Sequence, residues 1–290
     1  MFKNKIKSKS YQIYKNNFGK FLRLSSKPYV SGDTFRNNCN HVFDEVKQLK
    51  IQNIKFNDFV FVKSDYLNLF FNDIHPQIEF KYNLISHNSD EPIDVRYKKY
   101  VDEKIINWFA QNIEDQFSEK LKFIPIGLEN RWHLNNGKIN NFKKILTSKS
   151  KKQHLIHSSF STSTHSSRSD ILEILNSNAY TVFNQNKKNL EYLNLLSTSY
   201  FNVCPRGNGW DTHRIWESLI FNTIPIVKKN KFTKNLIKQN IPVMAIDDWK
   251  NLNDYSENEL IDFYNFTTNK QDISKYSSFE YWYKIINFNN

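Results

Sequence analysis

Cysteine is scarce in this chain, which has only Cys39 and Cys204 in 290 residues. The two are far apart and belong to no Cys-x-x-Cys or Cys/His spacing, which excludes a disulfide framework and a structural zinc site and fits a reducing compartment. No stretch reaches the roughly 18 apolar residues of a membrane-spanning helix, and the amino terminus lacks the apolar run of a secretory leader, so a cytoplasmic protein is expected. Glycine (6) and proline (7) are also few, so a segment that concentrates either is informative. What is present is apolar surface. Hydrophobic residues make up 39% and aromatics 16% of the chain, enough for a buried core and against global disorder.

Basic side chains outnumber acidic ones by 41 to 29, a formal charge of +12. That excess favours anionic partners (phosphates, acidic lipid surfaces or nucleic acid) without choosing among them. Most lysines lie in scattered Lys-Asn stretches that read as solvated surface. Residues 1–26 are basic, with Phe18, Phe21 and Leu22 at helical spacing. They predict a surface helix packed on the domain, with peripheral docking on an anionic membrane as the alternative.

From Tyr29 onward short apolar runs alternate with helical patterns, as in β-α units that carry a parallel sheet. Strands are expected at Pro28–Val30, Asp58–Val62, Tyr82–Ser86, Asn107–Phe109 and Phe123–Ile126, and helices at Phe35–Leu49, Asp65–Phe71 and Tyr97–Lys104. The polar, basic stretch Asn135–Lys152 reads as a linker or an exposed helical hairpin, and divides the chain into domains 1–145 and 146–290. A second alternation follows, with strands at His154–His157, Tyr180–Phe183, Tyr200–Val203, Ile224–Val227 and Pro242–Ala245, and helices at Asp170–Asn176, Leu190–Leu196, Thr212–Phe221 and Lys231–Gln239. Two α/β domains in tandem place a ligand between them, at the carboxyl ends of the strands.

The sharpest local feature lies between Tyr200 and Leu219. Gly207 and Gly209 put two of the six glycines into one loop, allowing close backbone approach to a ligand or positive φ. Asp211 or Thr212 suits the N-cap of the following helix, whose free N–H groups and positive dipole end form a ready phosphate site, with Arg206 adding charge. Arg214 and Glu217 stand three apart and share one helix face, so Arg214 can pair with a diphosphate while Glu217 accepts from ribose hydroxyls. The plain alternative is an exposed intrahelical ion pair contributing roughly 0.2–0.5 kcal/mol.

The run Pro205-Arg-Gly-Asn-Gly-Trp-Asp-Thr-His-Arg-Ile-Trp-Glu, closed by Ile224-Pro225-Ile226-Val227, resembles the signature of exostosin-like glycosyltransferases, above all the shorter microbial and viral members. Tyr29-Val-Ser-Gly-Asp-Thr-Phe-Arg, Trp108-Phe-Ala-Gln-Asn and Ile124-Pro-Ile-Gly-Leu-Glu-Asn are similar to the first domain of such proteins, so the resemblance spans most of the chain. It implies an α/β fold of GT-B type, two Rossmann-like domains facing a central cleft, with acceptor side 1–145 and nucleotide-sugar side 146–290. It also implies donor binding by Arg206, Gly207, Gly209, Arg214 and Glu217. The implied reaction is inverting transfer from a nucleotide-diphosphate sugar to a glycan, glycolipid or other hydroxyl acceptor, in surface polysaccharide or glycoconjugate synthesis. One departure is Asn222, where members carry Gly before the Ile-Pro strand; Asn tolerates left-handed geometry, so the turn can survive. The chain lacks the membrane anchor and many cysteines of lumenal animal members, and a heparan-type substrate is not expected.

For such a reaction the leaving diphosphate is expected to be met by the helix dipole and by Arg168, Arg206 and Arg214, with no metal and no cofactor beyond the nucleotide-sugar co-substrate. Asp247-Asp248 reads as a helix cap, not as a metal pair. A general base is needed at a strand end of the first domain, and Asp33, His87 and Asp90 satisfy that placement. Their alternatives are turn formation for Asp33 and Asp90 and a loop hydrogen bond for His87. Two other classes compete: a non-catalytic nucleotide- or glycan-binding module that has lost its base, and a basic nucleic-acid-binding protein, which would need its charge on one continuous face interleaved with aromatics.

Overall fold

The computed structural model describes residues 21–148, 150–184 and 188–288. Most of the basic segment 1–26, Phe18 included, therefore lies outside the described residues, while Phe21 and Leu22 at its end are exposed. No helix of the described residues is long and apolar enough to cross a membrane.

The fold is α/β, with two five-stranded sheets that are parallel throughout. The first half contains α1 (Gly32–Arg36), β1 (His41–Phe43), β2 (Phe59–Lys63), β3 (Tyr82–His87), β4 (Ile105–Ala110) and β5 (Leu121–Phe123). The second contains α2 (Ile139–Thr147), β6 (His154–Ser158), α3 (Ser167–Ser177), β7 (Thr181–Phe183), α4 (Asn189–Ser197), β8 (Ser199–Val203), α5 (His213–Ile220), β9 (Ile224–Lys228), α6 (Lys231–Lys238) and β10 (Met244–Ile246). Helices α7 (Glu257–Thr268) and α8 (Phe279–Ile286) close the chain.

In the first sheet the strands follow chain order, β1-β2-β3-β4-β5. Right-handed crossovers put all the connections of such a sheet on one face. Its strands are apolar on both faces, as in Phe59-Val-Phe-Val, so the other face needs a cover. The end of the chain supplies it: the rings of Phe288 and Phe59 are 4.6 Å apart, those of Trp282 and Phe123 6.0 Å. The return is fixed by the Phe279 N–H donating to the Pro28 carbonyl at 2.8 Å.

Where a long helix was expected over Phe35–Leu49, the chain forms α1 and then β1. Ser31 caps α1 by accepting from the Thr34 N–H, the helix ends at Asn37, and Val42 and Phe43 pair with Phe61 and Val62. Sheet pairing here overrides a weak helical spacing. Pro28–Val30 makes only an isolated bridge, Tyr29 to Ser278, and β5 ends at Phe123 rather than Ile126.

The second sheet has the order β10-β9-β8-β6-β7. Its order reverses between β6 and β8, so the connections leave on opposite faces and a crevice opens above the carboxyl ends of those two strands. The elements expected here appear within a few residues of their anticipated bounds. Asn222 turns into β9 at φ 52, the left-handed geometry its position requires. The stretch expected to be a linker or hairpin is instead the single helix α2, whose Ile139, Phe142 and Ile145 are buried against Leu193, Leu196, Ile220 and Phe221. One apolar core runs through both halves, and Phe123 of β5 joins them, 6.3 Å from Trp216 and 5.7 Å from Phe232 between ring centres.

Candidate functional site at the sheet switch point

The crevice between β6 and β8 holds a cavity of about 220 Å³ lined by Asn136, Ser159, Phe160, Ser161, Tyr192, His213, Arg214 and Glu217. Two loops and two helices build it. The loop after β6 brings Ser159 to Ser161, α4 brings Tyr192, and the amino end of α5 brings His213, Arg214 and Glu217. Thr212 is the N-cap of α5 but gives it no side-chain hydrogen bond.

Arg214 is held through one atom, its Nε donating to the Ser159 carbonyl at 2.6 Å. Among the described residues neither of its Nη nitrogens has a partner, and no ion pair joins it to Glu217. The exposed intrahelical pair is therefore not what this spacing makes. Glu217 is buried, and its Oε2 accepts from the Tyr192 hydroxyl at 2.9 Å. Burial raises its pKa above the usual carboxylate value, opposed by His213, Arg214 and the Tyr192 hydrogen bond. The cavity thus sets a guanidinium with two free donor groups beside a shielded carboxyl group.

The loop from Cys204 to Asp211 is pinned from beneath. Arg168 is only 2% exposed and spends its donors on backbone carbonyls: Nε to Arg206 at 2.8 Å, one Nη to Ser161 at 2.9 Å and the other to Pro205 at 3.3 Å. It ties the loop after β6 to the loop after β8 and lies on the wall of neither adjoining cavity. Arg206 lies 3.9 Å above the Trp210 ring and donates to the Asn208 carbonyl at 2.8 Å. With Trp210 it lines a second cavity of about 640 Å³ across the loop. Asp248 caps the helical turn beginning at Trp249 and pairs with Lys228, and Asp247 pairs with Lys229.

Neither loop glycine has positive φ; among the described glycines only Gly127 does. A Cβ on Gly209 would lie 2.7 Å from Asn112 Nδ2, whereas one on Gly207 would meet nothing nearer than Arg168 at 3.6 Å. Gly209 therefore permits close approach to Asn112 of the first half, whose Oδ1 accepts from the Asp211 N–H at 2.9 Å. Gly209→Ala is expected to lower the melting temperature by several degrees, about 1–3 kcal/mol of overpacking, and Gly207→Ala to leave it unchanged; thermal melts of the two variants check this.

The first-half candidates fall in two places. Asp33 and His87 come together through Asn88, inside the first half. Asp33 is fully buried and accepts from Asn88 Nδ2 at 3.1 Å and Arg23 at 3.3 Å; burial raises its pKa. His87 has both nitrogens engaged, Nε2 donating to the Pro125 carbonyl at 2.9 Å and Nδ1 accepting from the Asn88 N–H at 2.7 Å; burial lowers its pKa to about 4. Asp90 is exposed and accepts from Asn208 at 3.3 Å, reaching the Gly207–Gly209 loop from the first half. None of the three lines the cavity of Arg214 and Glu217. Sequence reasoning assigned no role in this site to Tyr192 or His213. His213 lay inside the quoted motif, while Tyr192 is brought in only by the packing of α4.

Two Rossmann-like units, each a five-stranded parallel sheet, with a polar crevice at a topological switch point, define a GT-B-like α/β fold. No protein-family model matches the chain and no curated protein is significantly similar to it. Among solved structures it is similar to apo OtsA, with a TM-score of 0.48 and 9% identity over 83% of this chain and 74% of that one. It is also similar to the pneumococcal O-GlcNAc transferase GtfA in complex with UDP and GlcNAc (TM-score 0.37, 10% identity, 82% of this chain and 58% of that one). A third is AviGT4, a glycosyltransferase involved in Avilamycin A biosynthesis (TM-score 0.33, 6% identity, 73% of this chain and 85% of that one). At these identities no residue role is carried over from them.

Proposed function

We propose that the protein is a glycosyltransferase of the exostosin-like type that moves a sugar from a nucleotide-diphosphate donor to a hydroxyl of a glycan or glycolipid acceptor. The observation that carries this reading is Arg214, fixed through Nε alone, with both Nη groups free among the described residues, in one crevice with the buried Glu217. Two parallel N–H donors suit a pair of phosphate oxygens, and a shielded carboxylate one turn along suits ribose hydroxyls. The amino end of α5 adds its dipole. At about 220 Å³ the cavity is smaller than the roughly 300–1,000 Å³ usual for whole ligands, so it suits the diphosphate and ribose, with base and sugar extending beyond it.

In this reading residues 146–290 hold the donor and 1–145 face the acceptor. Arg168, Arg206, Gly207 and Gly209 shape the loop around the donor. Transfer inverts the anomeric carbon and needs no metal, because the departing diphosphate is met by Arg214 and the helix tip. The net charge of +12 supports work beside an anionic membrane surface, in surface polysaccharide or glycoconjugate synthesis.

A melting screen with UDP-, GDP-, ADP-, CDP- and dTDP-sugars tests the donor site. A true donor at about 100 times its Kd adds about 2.7 kcal/mol, several degrees for a chain of this size. Glu217→Gln is expected to weaken that donor about tenfold by isothermal titration. Absence of any shift across the panel would overturn the assignment.

A further inference from the structure

His213 opens α5, and its ring bridges the two halves: Nδ1 lies 2.7 Å from the Gly127 carbonyl oxygen. A carbonyl only accepts, so Nδ1 carries the proton and the lone pair of the neutral ring sits on Nε2. Among the described residues nothing hydrogen-bonds to Nε2. The carbonyl that selects this tautomer is itself fixed. Gly127 has φ +67, a Cβ there would lie 2.3 Å from the Val30 carbonyl oxygen, and that same oxygen accepts from the Leu128 N–H at 2.8 Å. The first half thus orients an imidazole of the second half, on the wall of the cavity that Arg214 and Glu217 share.

We propose that His213 is the general base of the transfer, taking the proton of the acceptor hydroxyl on Nε2; this rests on the donor-site reading above. As the acceptor oxygen bonds to the anomeric carbon, the bond from that carbon to the diphosphate oxygen breaks and its electron pair leaves on the nucleoside diphosphate beside Arg214. The hydroxyl proton moves to Nε2, the Nδ1–H stays on the Gly127 carbonyl, and solvent later takes the proton. The charged and titratable groups around the ring are Arg214 and Glu217 on α5, Tyr192 on α4, and His87 of the first half, with Glu129 acting on Glu217. Glu217 supports the imidazolium that forms and Arg214 opposes it.

His213→Asn separates base from scaffold, because an asparagine amide can still donate to the Gly127 carbonyl but accepts no proton. Its test pairs titration with UDP, GDP and ADP against nucleoside diphosphate release from the corresponding sugars, with water or simple sugars as acceptor. The expected result is binding within threefold of wild type, release slowed about 100-fold, loss of the acid limb of the pH–rate profile, and partial rescue by added imidazole. His213→Asn that binds and turns over as wild type overturns the assignment alone. A variant that loses binding along with turnover also overturns it, since His213 would then hold the donor. A wild-type protein that binds none of these three diphosphates, nor CDP or dTDP, overturns the donor site, and this assignment with it.

Discussion

Replacing Arg214 with alanine is expected to lower kcat/KM for the nucleotide sugar about 10³-fold, a loss of about 4 kcal/mol of transition-state stabilisation. Among the described residues the guanidinium has no ion pair to lose, and its one bond is Nε to the Ser159 carbonyl. Folding therefore suffers by only about 1 kcal/mol. The catalytic loss is larger because negative charge develops on the diphosphate as its bond to the sugar breaks, and two donors already fixed in place meet that charge without reorganisation. Arg214→Lys keeps the charge but loses both the anchor on Ser159 and the paired donors, so it is expected to recover less than a tenth of the lost rate. Nucleoside diphosphate release, with melting curves as a control for folding, checks both variants. Activity of R214A within threefold of wild type would remove the basis of the donor site.

The part of the site that could be read from sequence is the part that one helix determines. Arg214 and Glu217 share a face because three residues nearly complete a turn, and both line one cavity. Arg168 is different. Whether its guanidinium meets a ligand or a carbonyl depends on how closely the loops after β6 and β8 approach, and sequence spacing does not encode the distance from Arg168 to Arg206. His87 shows the same limit, since its position at a strand end was legible but the turn of its ring toward the Pro125 carbonyl was not. Gly209 was read as making room for a ligand, and the group that occupies the room is Asn112.

For the fold, strength of pattern decided legibility. In α5 and α6 apolar residues recur at helical spacing and flanking turn residues mark the ends, so both were visible. In α2 the buried Ile139, Phe142 and Ile145 are set among Asn and Lys, and composition masked the face that packs on α4. In β1 only His41-Val-Phe pairs, too short a run to show alternation, and its identity comes from the neighbouring strand.

Asp211 carries the other large expected effect, this time on stability. Its Oδ2 accepts from the Ile126 N–H just past β5 at 2.6 Å, and its Oδ1 from the Trp216 indole at 2.8 Å. Asp211→Ala leaves the buried Trp216 indole and the half-buried Ile126 N–H without a partner, at about 1–3 kcal/mol each, so a loss of about 3–5 kcal/mol and roughly 5–8 °C in melting temperature is expected. The pH dependence follows from the same burial, which raises the carboxyl from 3.8 to about 7 against the pull of the Trp216 and Ile126 bonds. Because the folded value lies above the unfolded one, between 3.8 and about 7 the native chain keeps a proton that the unfolded chain has released. Its contribution to stability therefore falls as pH rises through that window and is level above it, with a slope of at most about 1.4 kcal/mol per pH unit. Asp211→Asn cannot titrate, so its urea-unfolding free energy should lack that component of the slope. Identical slopes for the two proteins would mean that the two N–H donors keep Asp211 ionised throughout, and that the joint between the halves is a fixed charge rather than a titrating one.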